Sequence, residues 1–336
     1  MAKDHYRVLE VSPQASREVI DAAYRALMKR YHPDIYKGDT QRIARELNEA
    51  HEVLLDPDKR AMYDQDRGRS DPKVVGGYRL LEKIAEGGFG KTRKAQHVLT
   101  GELVCIKHCS LVSPQNESLL ISEAKAIWDL RHFSIPVMRD LLRFEDGTLA
   151  LVMSYIPGST LQQVVEKVGK LDPEHVAWIA ERTINALKYL HYHGVVHGDI
   201  KPQNIIIQPE NHTVVVIDYG LSLVKPTSKS GAVGYTEFFA PPEQTLGKPL
   251  VPESDFYNLG MTMLYALCGG DIGRLARKEI PISTPTPLTD FIRRLIVRDV
   301  LSRPRWDQED LMETIGEVRK QSFGRSRSNM KPFPKI

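Results

Sequence analysis

The stretch from Gly194 to Ile207, Gly-Val-Val-His-Gly-Asp-Ile-Lys-Pro-Gln-Asn-Ile-Ile-Ile, constrains this chain more than any other. Val195-Val196 and Ile205 to Ile207 are apolar and must enter a core, so they deliver His197, Asp199, Lys201 and Asn204 together to one loop. An Asp or a Lys alone is most often a solvated surface charge, so the string gains meaning only from what accompanies it in order. A strand at Val214 to Ile217 runs into Asp218-Tyr219-Gly220. Upstream, Ile84-Ala85-Glu86-Gly87-Gly88-Phe89-Gly90 is a glycine-rich turn, followed by the strand Val104-Cys105-Ile106-Lys107. Leu119, Leu120, Ala124, Ile127 and Trp128 have helical spacing, and the same segment carries Glu123.

Taken together these segments resemble a protein kinase. The resemblance implies Asp199 as the base for a substrate hydroxyl, Lys201 as a contact to the transferred phosphate, and Asn204 and Asp218 as magnesium ligands. Lys107 would reach the α and β phosphates of ATP, with Glu123 as its ion-pair partner and Glu117 as the alternative. Ala85, Gly87, Gly88, Phe89 and Gly90 would fold over the phosphates, Ala85 standing where the pattern usually has its first glycine. Thr92 and Cys105 would flank the adenine, Met153 would control the pocket behind it, and Ser154 and Ile156 would lie nearest the base. Cys105 is also a thiol through which oxidation could block the pocket. Tyr235 to Gln244, with Pro241-Pro242-Glu243, resembles the end of an activation segment. Asp255 resembles the residue that braces the catalytic loop, and Arg303 the partner of Glu243. Lys201 two residues after Asp199, with Thr236 bracing both, is the serine/threonine pattern. Gly198 stands where many kinases carry an arginine that clamps a loop phosphate, so activation is expected not to depend strongly on loop phosphorylation at Thr227, Ser228 or Ser230.

The first 70 residues read as a separate helical unit. Ser16 can cap a helix ending at Tyr31 with Ile20, Ala23, Tyr24, Leu27 and Tyr31 on one face. A second helix from about Asp39 presents Ile43, Leu47, Ala50 and Leu54, so the two should pair as an antiparallel hairpin. His32-Pro33-Asp34 ends the first helix, because the residue before proline disfavours helix. Tyr6, Leu9, Tyr24-Arg25, Tyr31-His32-Pro33-Asp34, Asn48-Glu49-Ala50 and Asp56-Pro57 are similar to a J-domain, the co-chaperone module that stimulates ATP hydrolysis by the 70-kDa heat-shock chaperone. Arg25, Lys29 and Arg30 give the preceding helix a positive face toward an acidic partner, and His32, Pro33 and Asp34 would dock to the chaperone.

The expected organisation is α+β: an all-α J-domain over 1–68, a linker over 69–77, a bilobal kinase over 78–316 with a β-rich N-lobe and helical C-lobe, and a basic disordered tail over 317–336. From Gly316 onward the chain has six Lys or Arg against one acid, while its total formal charge is +3. Contact of that tail with nucleic acid or a membrane surface is not expected. No apolar run approaches the ~20 residues of a membrane span. The three cysteines lack paired spacing, so a reducing cytoplasm is the expected compartment. Cys105, His108 and Cys109 do not make a zinc site, because His108 faces away from the other two along a strand. The expected activity is transfer of the ATP γ-phosphate to serine or threonine of protein substrates, dependent on magnesium, with a J-domain that recruits the chaperone. The alternative is a chaperone adaptor whose kinase-like half binds ATP without transferring phosphate.

Overall fold

Helices α1 (His5–Val8), α2 (Arg17–Arg30), α3 (Thr40–Leu55) and α4 (Pro57–Ser70) form the first of two units, which divide at residues 73 and 74. The computed structural model describes residues 5–32, 38–70, 74–87, 90–109, 114–144, 146–227, 230–232, 234–325 and 331–334. Pro33, Asp34, Gly88, Phe89 and Ser228 thus lie outside the described residues.

Helices α2, α3 and α4 each start where a side chain can accept from the orphan N–H groups of the first turn. Ser16 caps α2, Asp39 accepts from Arg42 N at 3.1 Å, and Asp56 accepts from Asp58 N and Lys59 N at 2.9 and 3.0 Å. The antiparallel pairing of α2 with α3 is fixed by Tyr24 Oη donating to Asn48 Oδ1 at 2.7 Å and by His51 Nε2 bonding Asp21 Oδ1 at 3.1 Å. Ile20, Leu27, Leu47, Ala50 and Leu54 are buried between them with Tyr6 and Leu9 from the α1 region. Tyr6 is clamped at its hydroxyl, which donates to Asp64 Oδ1 at 2.7 Å and accepts from Arg60 Nε at 2.9 Å.

The second unit opens with β1 (Val74–Val75), β2 (Tyr78–Gly87), β3 (Gly90–His97) and β4 (Leu103–Cys109). Helix α5 (Pro114–Ile127) follows, then β5 (Met138–Arg143) and β6 (Leu149–Ser154), and the sheet runs β1-β2-β3-β4-β6-β5, antiparallel throughout. Part of the expected linker is therefore sheet: Val74 pairs with Arg79 and Val75 with Tyr78 around a turn at Gly76-Gly77. Leu120, Ala124 and Ile127 of α5 are buried as their spacing implies, whereas Trp128, one residue past the helix, is half exposed.

The helical lobe holds β7 (Ser159–Thr160), α6 (Leu161–Val168), α7 (Pro173–Tyr192), β8 (Val195–Val196), β9 (Ile205–Gln208), β10 (Thr213–Val216) and β11 (Leu223–Val224). Beyond these lie α8 (Pro242–Thr245), α9 (Pro252–Cys268), α10 (Ile272–Arg277), α11 (Thr286–Leu295) and α12 (Leu311–Phe323). Helices α7 and α9 are buried around nearly their whole circumference, the mark of a central helix, and the loops on which the polar residues sit are anchored to them.

The tail departs from expectation. Residues 317–323 belong to α12, where Arg319 is buried and pairs with the buried Glu181 of α7. Arg325 donates to both oxygens of Glu174 at 2.6 and 2.7 Å, and Lys331 Nζ donates to Asp172 at 2.7 Å. Phe333 packs against His175 and Trp178, with ring centroids 5.0 and 5.9 Å apart. Among the described residues, Arg319, Arg325 and Lys331 are each paired with an acid in α7 or at its cap, so their charge does not keep this segment in solvent. Arg319→Met should cost the second unit about 3–5 kcal/mol in urea unfolding because Glu181 is left buried without its cation. The double variant Arg319→Met with Glu181→Leu should recover most of that loss, and an unchanged midpoint for the single variant would contradict the role of the pair.

Candidate active site

The apolar flanks of the loop behave as their sequence requires. Val195, Val196, Ile205 and Ile207 are buried in short strands, and His197, Asp199 and Asn204 are carried between them with little exposure. The loop conformation is set by Asp255 of α9, which accepts from His197 N at 2.8 Å and Gly198 N at 2.7 Å. Gly198 has φ +74°, and a Cβ there would lie 2.9 Å from Leu221 O and 2.8 Å from Leu250 Cδ1, so the position suits glycine and has no ready room for a side chain.

Around Asp199 the polar groups close on one another. Thr236 Oγ1 donates to Asp199 Oδ1 at 2.6 Å, and Lys201 Nζ lies 2.9 Å from that hydroxyl and 2.7 Å from Asp199 Oδ2. Asn204 Nδ2 donates to the Asp199 carbonyl and to Oδ2 at 2.9 and 3.0 Å. Because both amide protons of Asn204 are spent on Asp199, its Oδ1 is the atom left to accept from or coordinate another group. His197 Nδ1 accepts from Asp199 N at 3.2 Å, which leaves Nε2 to donate to Ile217 O at 3.2 Å. Burial pushes this imidazole below its ordinary pKa, in keeping with a neutral ring that only supports the loop.

Opposite, Lys107 of β4 reaches both Glu123 oxygens at 2.9 and 2.8 Å and Asp218 Oδ1 at 2.6 Å. Glu117, the alternative partner, instead pairs with Arg143 at 2.8 Å. Burial alone would lower the pKa of the Lys107 ammonium, but Glu123 and Asp218 reverse this and hold it above its usual range. Burial drives the Glu123 carboxyl up despite Lys107, whereas Lys107 outweighs burial at Asp218 and lowers it. Two carboxylates thus share one ammonium, leaving a formal negative charge that suits a hard cation bound through Asp218 and the Asn204 amide oxygen. Asp218 has φ +66°, an uncommon conformation for a non-glycine residue. Tyr219 is buried on His197 with centroids 4.8 Å apart, and its hydroxyl donates to Val216 O at 3.1 Å.

A cavity of about 320 Å³ collects Lys107, Glu123, Asp218, Asp199, Lys201 and Thr236 on its walls. The residues expected around adenine do not line it; Thr92, Cys105, Met153 and Ser154 sit on strands of the sheet. Thr92 pairs with Lys107 across β3 and β4, and Cys105 with Met153 across β4 and β6. Ser154 spends its N–H on Val137 O at 2.9 Å, and Ile156 follows just past the end of β6. Ala85 faces Thr92, and Gly87 faces Gly90 at the β2–β3 turn. Gly90 passes so close to β4 that a Cβ would fall 1.9 Å from His108 O. Burial pushes the Cys105 thiol up to about 11, which disfavours its thiolate form.

The segment that ends at Glu243 is pinned by charge. Arg303 is fully buried and bidentate to Glu243 at 2.6 and 2.9 Å, and its other N–H groups go to the carbonyls of Val297, Arg298 and Glu253. One member of the site was not anticipated from sequence. Gln244 Nε2 donates to Gly198 O at 2.8 Å and Gly234 O at 2.9 Å. The available signals were its position next to Glu243 and the lack of a cation at position 198.

On the first unit, Lys29, Arg30 and His32 are exposed at the end of α2, and Arg25, also exposed, pairs with Asp21 at 2.6 Å. A cavity of about 150 Å³ beside this end is lined by Met28, Tyr31, His32 and residues of α3.

Residues 78–309 match the Protein kinase domain family and residues 4–64 match the DnaJ domain family. The chain is 31% identical over 256 residues to the serine/threonine-protein kinase pkn3 of Myxococcus xanthus, covering 68% of this chain and 46% of that protein. It is 31% identical over 250 residues to the serine/threonine-protein kinase PknA of Mycobacterium tuberculosis, covering 69% and 58%. It is 29% identical over 266 residues to the hormonally up-regulated neu tumor-associated kinase of Mus musculus, covering 70% and 36%. The chain therefore spans less than two thirds of each of these relatives. With its kinase match covering most of the chain, and with Lys107, Glu123, Asp199, Lys201, Asp218 and Thr236 lining one cavity, the chain belongs to the protein kinase family and carries a DnaJ domain ahead of the kinase domain.

Proposed function

We propose that this chain is a serine/threonine protein kinase that transfers the γ-phosphate of ATP to protein hydroxyls, and that its J-domain recruits the 70-kDa heat-shock chaperone and stimulates its ATPase. The observation that carries the kinase reading is the single cavity walled by Lys107, Glu123, Asp199, Lys201, Asp218 and Thr236. A scaffold that only binds nucleotide has no need to gather all of them.

In this reading Glu123 orients Lys107 toward the α and β phosphates, and Asp199 orients the acceptor hydroxyl and takes its proton. The acceptor oxygen bonds to the γ-phosphorus as the bond to the bridging oxygen breaks, leaving ADP. Lys201 lies against Asp199 and Thr236, where it can meet negative charge on the transferred group. Magnesium held by Asn204 and Asp218 would neutralise phosphate charge during transfer. In the same reading, Ala85, Gly87, Gly88, Phe89 and Gly90 would cover the phosphates, and Thr92, Cys105, Met153, Ser154 and Ile156 would form the adenine side. The exposed His32 and the basic residues Arg25, Lys29 and Arg30 support the chaperone reading, with Pro33 and Asp34 completing the motif. A reducing cytoplasm suits the three free cysteines.

The kinase reading is tested by transfer of labelled phosphate from magnesium-ATP to a generic basic protein and to the purified chaperone. Wild type should label serine or threonine, and Asp199→Asn should lower the rate by about 10²–10⁴-fold. ATP binding without transfer in wild type would contradict it and favour the chaperone adaptor. The J-domain reading predicts that His32→Gln abolishes stimulation of the chaperone ATPase while phosphate transfer to the basic protein stays at the wild-type rate. Stimulation that survives the substitution would contradict it.

A further inference from the structure

We infer that Gln244 is a positioning residue that locks the activation segment onto the catalytic loop, taking the place of a phosphate-dependent clamp. The inference rests on the kinase reading above.

Gln244 lies in α8, directly after Glu243, and is 2% exposed. Both protons of its Nε2 are used, one on the carbonyl of Gly198 and the other on the carbonyl of Gly234. Its Oε1 is buried with no partner among the described residues, so the amide is held by its donors. The opposite orientation would set an oxygen against two carbonyl oxygens, which fixes which end faces the loop.

These two carbonyls belong to the segments that must register for transfer. Gly198 sits between His197 and Asp199, and its N–H is already held by Asp255, so Asp255 and Gln244 grip the two peptide groups of one residue. Gly234 precedes Thr236 by two residues, and Thr236 Oγ1 contacts both Asp199 and Lys201. One side-chain amide thereby sets the distance between the catalytic loop and the part of the activation segment that completes the acceptor site.

A cation at position 198 could join the same segments only through a phosphate on the activation loop, and Gly198 provides none. A neutral amide bonded to main-chain carbonyls needs no modification and is unaffected by the phosphorylation state of the loop. It also acts on the acceptor side of the cavity, away from Lys107, Glu123 and Asp218, so its loss should separate acceptor turnover from nucleotide binding.

The experiment uses the full chain, a basic protein as acceptor, and Gln244→Met, which preserves volume and removes both donors. Where that variant does not fold, as judged by its thermal transition, Gln244→Asn is read in its place, since its amide is too short to span both carbonyls. The expected result is a fall in kcat/KM for the acceptor of roughly tenfold or more, with ATP affinity within about twofold of wild type. Phosphatase-treated wild type, free of loop phosphate by mass spectrometry, should keep its rate. A variant with wild-type kcat/KM overturns the inference, as does a wild-type enzyme that loses its activity on phosphatase treatment. Failure of wild type to transfer phosphate at all would instead remove the kinase reading itself.

Discussion

The loop that carries Asp199 depends on one carboxylate that never meets solvent. Asp255 is fully buried and accepts from His197 N, Gly198 N and His191 Nε2 at 2.7 to 2.8 Å. His191 Nδ1 accepts from Trp306 Nε1 at 2.9 Å, so the imidazole is neutral and its Nε2 proton points at Asp255. Taking a carboxylate out of water costs several kcal/mol, and three aligned donors offset that cost only if the loop keeps this geometry. The two peptide N–H groups lie immediately before Asp199, so the energy that makes Asp255 tolerable also fixes where Asp199 stands. Thr236, Lys201 and Asn204 then assemble on a carboxylate whose position is already set.

Across the cleft the logic is charge sharing. Lys107 lies within 2.9 Å of Glu123 and Asp218, which come from α5 and from the turn after β10, so one ammonium joins the helix, the sheet and the helical lobe. The shared ammonium leaves the site short of positive charge, and a metal ion entering between Asp218 and Asn204 would relieve that deficit. Nucleotide and metal binding would thus complete an electrostatic arrangement already partly built. The unusual backbone at Asp218 fits a residue whose orientation is imposed by its partners.

Much of this was legible in the sequence because the chemistry is concentrated in short strings. His197 to Asn204 and Asp218 to Gly220 carry their polar residues at fixed offsets between apolar stretches, and caps such as Asp39, Asp56 and Asp172 announce their helices locally. What escaped depends on partners far away in the chain. The Arg319–Glu181 pair spans 138 positions and the Arg325–Glu174 pair spans 151, so a basic, serine-rich ending reads as a solvated tail until α7 is seen to supply the acids. Gln244 escaped for a different reason: its partners are main-chain carbonyls, which every residue has and no sequence distinguishes. The partial burial of Cys105, which raises its thiol pKa, depends on the packing of β3, β4 and β6 and is equally invisible in the string.

The central claim is that Lys107, Asp199, Asn204 and Asp218 form one phosphoryl-transfer site. A crystal structure of the full chain with a non-hydrolysable ATP analogue and manganese, read by anomalous scattering, tests it most directly. The account predicts metal density contacting Asn204 Oδ1 and an Asp218 carboxylate oxygen, with the terminal phosphate facing Asp199 and Lys107 at the inner phosphates. Metal bound elsewhere, or a nucleotide whose terminal phosphate points away from Asp199, would contradict it.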